Sequence, residues 1–293
     1  MRTAAALCVP PSETPNRPGV TAPIRVLQCG FPKSGNYGAY RLLAALLEAH
    51  GLRRSFKRRS GLARIAEALG SEQLLFPEAA EVDAFSLASG ETRLEFPHPA
   101  CRWLPVDPGL LLDGSTLLWT HDPCAVAVDP RLASVTHRVY VVRDGRDVLD
   151  SLAHHVVRPE IRRLHPEYRH ETAAAVRADL PLFASYARRW VAHVEGYLAH
   201  RERFLLLRLE DLIREPEATV ACLAGALGLA VDAAALAPRL RFDALAARAP
   251  GHLRRGAIGG WREAFGAAQR RVVEEVAGPA LAALGYPPTG AAP

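Results

Sequence analysis

Gly30-Phe31-Pro32-Lys33-Ser34-Gly35-Asn36-Tyr37 sets one lysine and one serine in a tight turn between two glycines. Such a turn suits an anion when a helix follows it. Exposed N–H groups then point at the ligand, and the helix N-terminus adds partial positive charge. Gly30 and Gly35 allow close approach of the backbone. Lys33 adds a mobile cation, Ser34 a hydroxyl and Asn36 an amide that can hydrogen-bond a phosphate. The nucleotide-triphosphate loop reads differently, G-x-x-x-x-G-K-[ST]. Here the lysine precedes the second glycine and Asn36 follows it. A magnesium-dependent kinase or hydrolase would lack its metal-binding hydroxyl.

Two basic segments lie far downstream. Arg143-Asp144-Gly145-Arg146-Asp147 is followed by Ser151. A guanidinium fork plus a hydroxyl donor suits a doubly charged phosphate. Arg254-Arg255-Gly256-Ala257-Ile258-Gly259-Gly260-Trp261 is a basic, glycine-rich loop. A nucleophilic hydroxyl needs a base near neutral pKa, and imidazole fits. His121, in Trp119-Thr120-His121-Asp122-Pro123, is the candidate base, while His154 and His155 follow Ser151 and border the expected acceptor pocket.

The elements that must position these residues are legible from periodicity. Ile24–Gly30, Leu117–Thr120, Arg138–Arg143 and Phe204–Leu209 are short apolar runs that predict buried strands. Helical spacing predicts helices over 37–50, 62–70, 147–155, 171–200 and 262–284, and one opened by Pro216. Strands alternating with helices imply an α/β fold with a central parallel sheet flanked by helices. Ligands in such sheets bind at the C-terminal ends of the strands. Lys33, His121 and Arg143 all follow strands and so can meet in one crevice.

Composition narrows the class. With 49% hydrophobic residues, the 293-residue chain can bury one sizeable core. Residues 1–22, rich in Pro, Thr and Ala, are expected to form a flexible leader, and 23–290 one domain. No apolar run is long enough to span a membrane. Five cysteines without C-x-x-C spacing argue against a disulfide scaffold or a zinc site and point to the cytoplasm. The net charge of +5 suits an anionic ligand, and no basic aromatic stripe points to nucleic acid. Of 36 basic residues, only Lys33 and Lys57 are lysines, a bias that reads as the drift of a GC-rich, bacterial-type genome. Lysines kept against it are candidates for function.

Phe31-Pro32-Lys33-Ser34-Gly35 resembles the 5′-phosphosulfate loop of sulfotransferases, [TY]-P-K-S-G-T-[TS]-W. Arg143–Ser151 resembles that family's 3′-phosphate segment, and Arg254–Arg262 resembles its R-K-G-x-x-G-D-W-K loop. Leu209-Glu210-Asp211-Leu212 is similar to its Y-E-D-L turn, and Thr120-His121-Asp122-Pro123 to its T-H-x-P. The resemblance spans residues 24–265 and implies a P-loop-like sulfotransferase fold. It implies transfer of a sulfuryl group, without a metal, from 3′-phosphoadenosine 5′-phosphosulfate to a hydroxyl or amine of a small molecule, sugar or peptide. Lys33 and His121 would then be catalytic. Pro32, Lys33, Ser34, Gly35, Asn36, Tyr37, Arg143, Ser151, Arg254, Arg255 and Gly256 would hold the nucleotide. Gly38 stands where cytosolic members stack a tryptophan on adenine, a role that Tyr37 or Tyr40 would take over. Trp119 replaces a lysine that contacts the sulfonate, Leu209 a tyrosine and Gly260 an aspartate. These departures keep a non-catalytic nucleotide-binding relative open as the second reading, ahead of a P-loop kinase. Oligomeric state is not legible.

Overall fold

The structure is a computed structural model, and it describes residues 23–70, 76, 78–87, 90–98, 101–249 and 252–290. The predicted leader, 1–22, lies outside the described residues. β1 (Val26–Gly30) runs into the glycine turn and then α1 (Asn36–Ala49). β2 (Asp83–Ser86), β3 (Arg93–Glu95), β4 (Trp103–Pro105) and β5 (Leu117–Thr120) follow. β6 (His137–Val142) leads into α2 (Gly145–Val156), and α3 (Leu180–Leu198) into β7 (Leu205–Arg208). Next come α4 (Leu209–Arg214), α5 (Phe242–Arg248) and α6 (Ala267–Ala283).

The strands form one sheet in the order β4-β3-β2-β5-β1-β6-β7. β2, β5, β1, β6 and β7 are parallel, while β3 and β4 join antiparallel at one edge. The expected parallel sheet is therefore mixed, extended by a meander too short to read from sequence. Both faces of the parallel strands are covered. Along β1, Val26 packs with Leu117, Val139 and α1, while Leu27 packs with Leu118, Tyr140 and Trp190 on the other side. That alternation is the period of two expected of a strand buried on both faces. β1 sits between β5 and β6, the point where strand order reverses, so a crevice opens at its C-terminal end.

Two predicted helices are broken. The 171–200 segment divides into Ala173–Ala178 and α3, because Asp179 turns out of the helix, caps α3 by accepting from the Leu182 N–H at 3.1 Å, and is followed by a first-turn proline. The C-terminal segment divides into Trp261–Ala264 and α6, with Phe265 and Gly266 extended between them.

Candidate active site

The β1–α1 turn is strained in a way that serves an anion. Lys33 has φ 71, a left-handed conformation that costs a non-glycine residue about 1–2 kcal/mol. Gly35 follows at φ 94, and a Cβ there would lie 2.6 Å from Leu209 Cδ1. Glycine is therefore required at 35 on both counts. Gly35 is the N-cap of α1 and supplies no side-chain cap, and the first turn holds no acidic residue, so its N–H groups are left for a ligand.

Within this turn two predicted contributions change. Ser34 is 1% exposed, its N–H bonds Phe31 O at 3.2 Å, and it takes no part in the cavity wall. The Asn36 side chain also turns inward: its amide donates to Phe31 O at 2.8 Å, and its Oδ1 lies 2.4 Å from where a Gly30 Cβ would be. Both residues brace the turn, and what reaches the cavity from Asn36 is its place in the first helical turn. Gln28 completes the brace by donating to Asn36 O at 2.8 Å.

Lys33, Arg143, Ser151, Arg254, Arg255 and Gly256 all line one cavity of about 990 Å³, and Pro32, Gly35 and Tyr37 border it. The two distant basic segments are tied together by buried carboxylates. Asp147, 2% exposed, accepts from the N–H groups of Gly259 at 2.7 Å and Trp261 at 3.1 Å. Asp150 accepts from Arg177 at 2.9 Å and from Arg254. Arg143 donates to Ala257 O at 2.9 Å. Arg146 is fully buried in a fork to Asp144, with its guanidinium 4.4 Å from the Trp261 ring centroid, and serves as structure. Glu210 is structural as well, accepting from the Asp144 N–H at 2.8 Å and Tyr286 at 3.2 Å.

Electrostatics confirm the convergence of charge. Burial, then Arg158, Arg143 and Arg254 in turn, lowers the Lys33 ammonium to about 8. Arg158 was not singled out from sequence. It follows α2, is braced by Glu160 through Nε at 2.6 Å, and lines the cavity. His155 also lines the cavity; burial, then Lys33 and Arg158, pushes it down to about 2, so it is a neutral imidazole.

His121 follows β5 and faces the same cavity. Its Nδ1 lies 2.6 Å from Gly30 O. A carbonyl only accepts, so Nδ1 carries the proton and Nε2 keeps the lone pair. The side chain is open to the cavity, and desolvation by the surrounding walls holds the ring below its ordinary value, opposed by the Gly30 contact and the Glu95 and Asp122 charges. Asp122 does not pair with His121; it accepts from Ser86 Oγ at 2.9 Å and the Leu87 N–H, fixing the segment to the end of β2.

Sequence-matching agrees with this geometry. Residues 110–285 match the model of the sulfotransferase domain family. The chain belongs to the sulfotransferase family. The match begins after the Lys33 turn, so that part of this sulfotransferase rests on its geometry. Among solved structures, retinol dehydratase in complex with androsterone and inactive cofactor PAP is 18% identical, with a TM-score of 0.53 covering 89% of this chain and 82% of that one. Mouse sulfotransferase SULT7A1 complexed with PAP is 16% identical, with a TM-score of 0.54 covering 92% and 90%. At such identity the likeness is one of fold. No curated protein gives a significant match. Among the described residues, no helix is long and apolar enough to cross a membrane.

Of the two aromatic substitutes expected beside Gly38, Tyr40 turns into the core and Tyr37 stays at the cavity. Tyr40 is 2% exposed, stacks on Trp119 at 5.7 Å and is absent from the cavity wall. Tyr37 borders the cavity, but its hydroxyl bonds Glu78 at 3.0 Å and its ring packs on Phe76 and His252. Leu212 and Leu245 stand 3.6 Å from where a Gly38 Cβ would lie, within ordinary van der Waals contact of it. With Phe242, packed under Gly256, they give this end of the cavity an apolar wall. Sequence reading missed Phe242; its only signal was a lone aromatic residue upstream of the basic loop.

Proposed function

We propose that residues 23–290 act as one unit that transfers a sulfuryl group from 3′-phosphoadenosine 5′-phosphosulfate to an acceptor hydroxyl or amine. The observation that carries this reading is that Lys33, Arg143 and Arg254, more than a hundred residues apart in places, line one cavity and bear on one another electrostatically. Arg143, Ser151 and the Arg254–Gly256 loop suit the 3′-phosphate, and Lys33 with the first turn of α1 suits the 5′ end. The wall of Leu212, Leu245 and Phe242 suits the adenine. PAP in the two similar solved structures supports the same nucleotide.

The nucleotide supplies a sulfur centre with a phosphate leaving group. His121 Nε2 accepts the acceptor's proton as its oxygen or nitrogen bonds to sulfur. Lys33 and the N–H groups of the α1 first turn stabilise the charge that grows on the phosphate oxygen as its bond to sulfur breaks. Stabilising charge where it develops is typically the largest catalytic contribution. Arg158, beside Lys33, adds a cation on the same side. The chain supplies positioning and electrostatics, as in phosphoryl transfer, and the proposed transfer needs no metal.

Titration calorimetry with 3′-phosphoadenosine 5′-phosphate against ATP tests the reading. Binding of the bisphosphate at least about tenfold tighter is expected, since a second phosphate subsite contributes charge-assisted hydrogen bonds. Equal affinity for ATP would overturn it.

A further inference from the structure

Lys57, the second of the two lysines, has no part in the mechanism above. It lies in the short helix Phe56–Arg59 and is 1% exposed, yet it lines the same cavity as Lys33 and His121. Among the described residues its ammonium makes one hydrogen bond, to Ala79 O at 3.3 Å. A buried ammonium has three donors and needs a counter-charge. The nearby carboxylates are otherwise engaged. Asp83 accepts from Phe56 N–H at 2.7 Å, Lys57 N–H at 3.0 Å, Ser115 Oγ at 2.6 Å and Ser55 Oγ at 3.1 Å. Glu95 is held by Arg102 at 3.0 Å. Burial lowers the Lys57 ammonium to about 8 despite the opposing charges of Asp83 and Glu95. It is thus mostly charged at neutral pH, with donors to spare.

A continuous path leads from this ammonium to the base. The Ala79 N–H bonds Phe76 O at 2.9 Å; Phe76 stacks on Trp119 at 5.7 Å; Trp119 meets the His121 ring edge-on at 5.6 Å. All of these residues border the cavity. The wall between base and ammonium is therefore aromatic and polar at both ends.

We infer that the acceptor is a hydroxylated compound carrying a carboxylate, with its hydroxyl at His121, its body against the cavity wall that Phe76 and the edge of Trp119 form, and its carboxylate on Lys57. This rests on the sulfuryl-transfer reading. It makes Lys57 the residue that sets acceptor class, distinct from the residues that hold the nucleotide. A carboxylate there would accept from the donors that the ammonium has left over.

The test is binding of 4-hydroxybenzoate and of its neutral isostere 4-hydroxybenzamide to the full chain saturated with 3′-phosphoadenosine 5′-phosphate, by titration calorimetry. The wild-type protein is expected to prefer the carboxylate by about tenfold or more, the scale of one charge-assisted hydrogen bond. In Lys57→Met, a near-isosteric replacement that removes a buried charge, that preference is expected to vanish with nucleotide affinity unchanged. Equal affinity of the wild-type protein for the two probes, no binding of either included, overturns the inference without recourse to a variant. So does a preference that survives in Lys57→Met. A chain that binds the probes but not the bisphosphate would instead remove the nucleotide reading.

Discussion

The two ends of the cavity are built on different principles. The proposed nucleotide end is made from backbone at the tips of β1 and β6 and from a loop clamped by buried carboxylates, Asp147 above all. Its charged side chains project from the turn and strand end at those tips and from the clamped loop, so its geometry is tied to the sheet. The acceptor end rests on three-residue strands, a short helix and side-chain pairs, such as Arg102 with Glu95 at 3.0 Å and with His165 at 3.0 Å. The first end can serve any member of a fold that uses one nucleotide. The second can change acceptor by changing a few side chains without touching the sheet.

The largest effect should fall where the two ends meet. Lys33→Ala is expected to reduce turnover by about a hundredfold or more, as loss of charge stabilisation at a leaving oxygen does. His121→Ala is expected to do the same through loss of the base. The pair sharpens the comparison because only one belongs to the nucleotide end: Lys33→Ala should also weaken binding of 3′-phosphoadenosine 5′-phosphate, and His121→Ala should leave it unchanged. Turnover and bisphosphate calorimetry measured together check this. Near-normal turnover in Lys33→Ala would remove the electrostatic half of the mechanism.

What was legible in the sequence follows the same division. The β1 turn, Arg143 at the end of β6 and the 254–261 loop are local patterns whose residues act within a few positions of one another, and they fell where expected. The side chains of Ser34 and Asn36 turn inward: a polar side chain in a phosphate-type turn can face a ligand or brace the turn, and residue type does not say which; Asn36 still borders the cavity. Tyr40 failed as an adenine partner because helical spacing on α1 carries it into the core. The break at Asp179 was hidden because a capping carboxylate interrupts an amphipathic pattern no more than an exposed one does. Lys57 and Arg158 could be noticed, but their place on the same cavity wall as Lys33 and His121 depends on tertiary packing, which no spacing encodes.

A medium effect should separate clamp from contact. In Asp147→Asn, one of two N–H groups from Gly259 and Trp261 loses its acceptor and the charge is gone. Hydrogen bonds to a buried charge are worth about 1.5–3 kcal/mol, so bisphosphate affinity should fall by roughly tenfold as the 254–261 loop loosens. The acceptor end should feel nothing: probe preference between 4-hydroxybenzoate and 4-hydroxybenzamide, measured at saturating nucleotide, should be retained. A loss of that preference would mean the two ends are coupled through the clamp.

The smallest effect concerns pH. Free Lys33 is lowered to about 8 by burial and by Arg158, Arg143 and Arg254. A bound phosphate anion favours the charged form, so the pKa in the complex must lie above that in the free protein. Binding therefore takes up protons near and above pH 8, and affinity for 3′-phosphoadenosine 5′-phosphate must fall as pH rises through the free value. If the bound value lies well above the range studied, the fall between pH 7 and pH 8.5 is roughly fourfold by linkage. Calorimetry in buffers of different ionisation enthalpy reads the proton uptake directly. Lys33→Arg, whose charge does not titrate in this range, should flatten the profile. His121 acts on the opposite side of neutrality. Desolvation by the cavity walls holds it below its ordinary value, so the acid limb of turnover should fall below that value, without any matching change in nucleotide affinity. A nucleotide affinity that instead tracked the acid limb would place His121, rather than Lys33, against the phosphates, and the division between the two ends would fail.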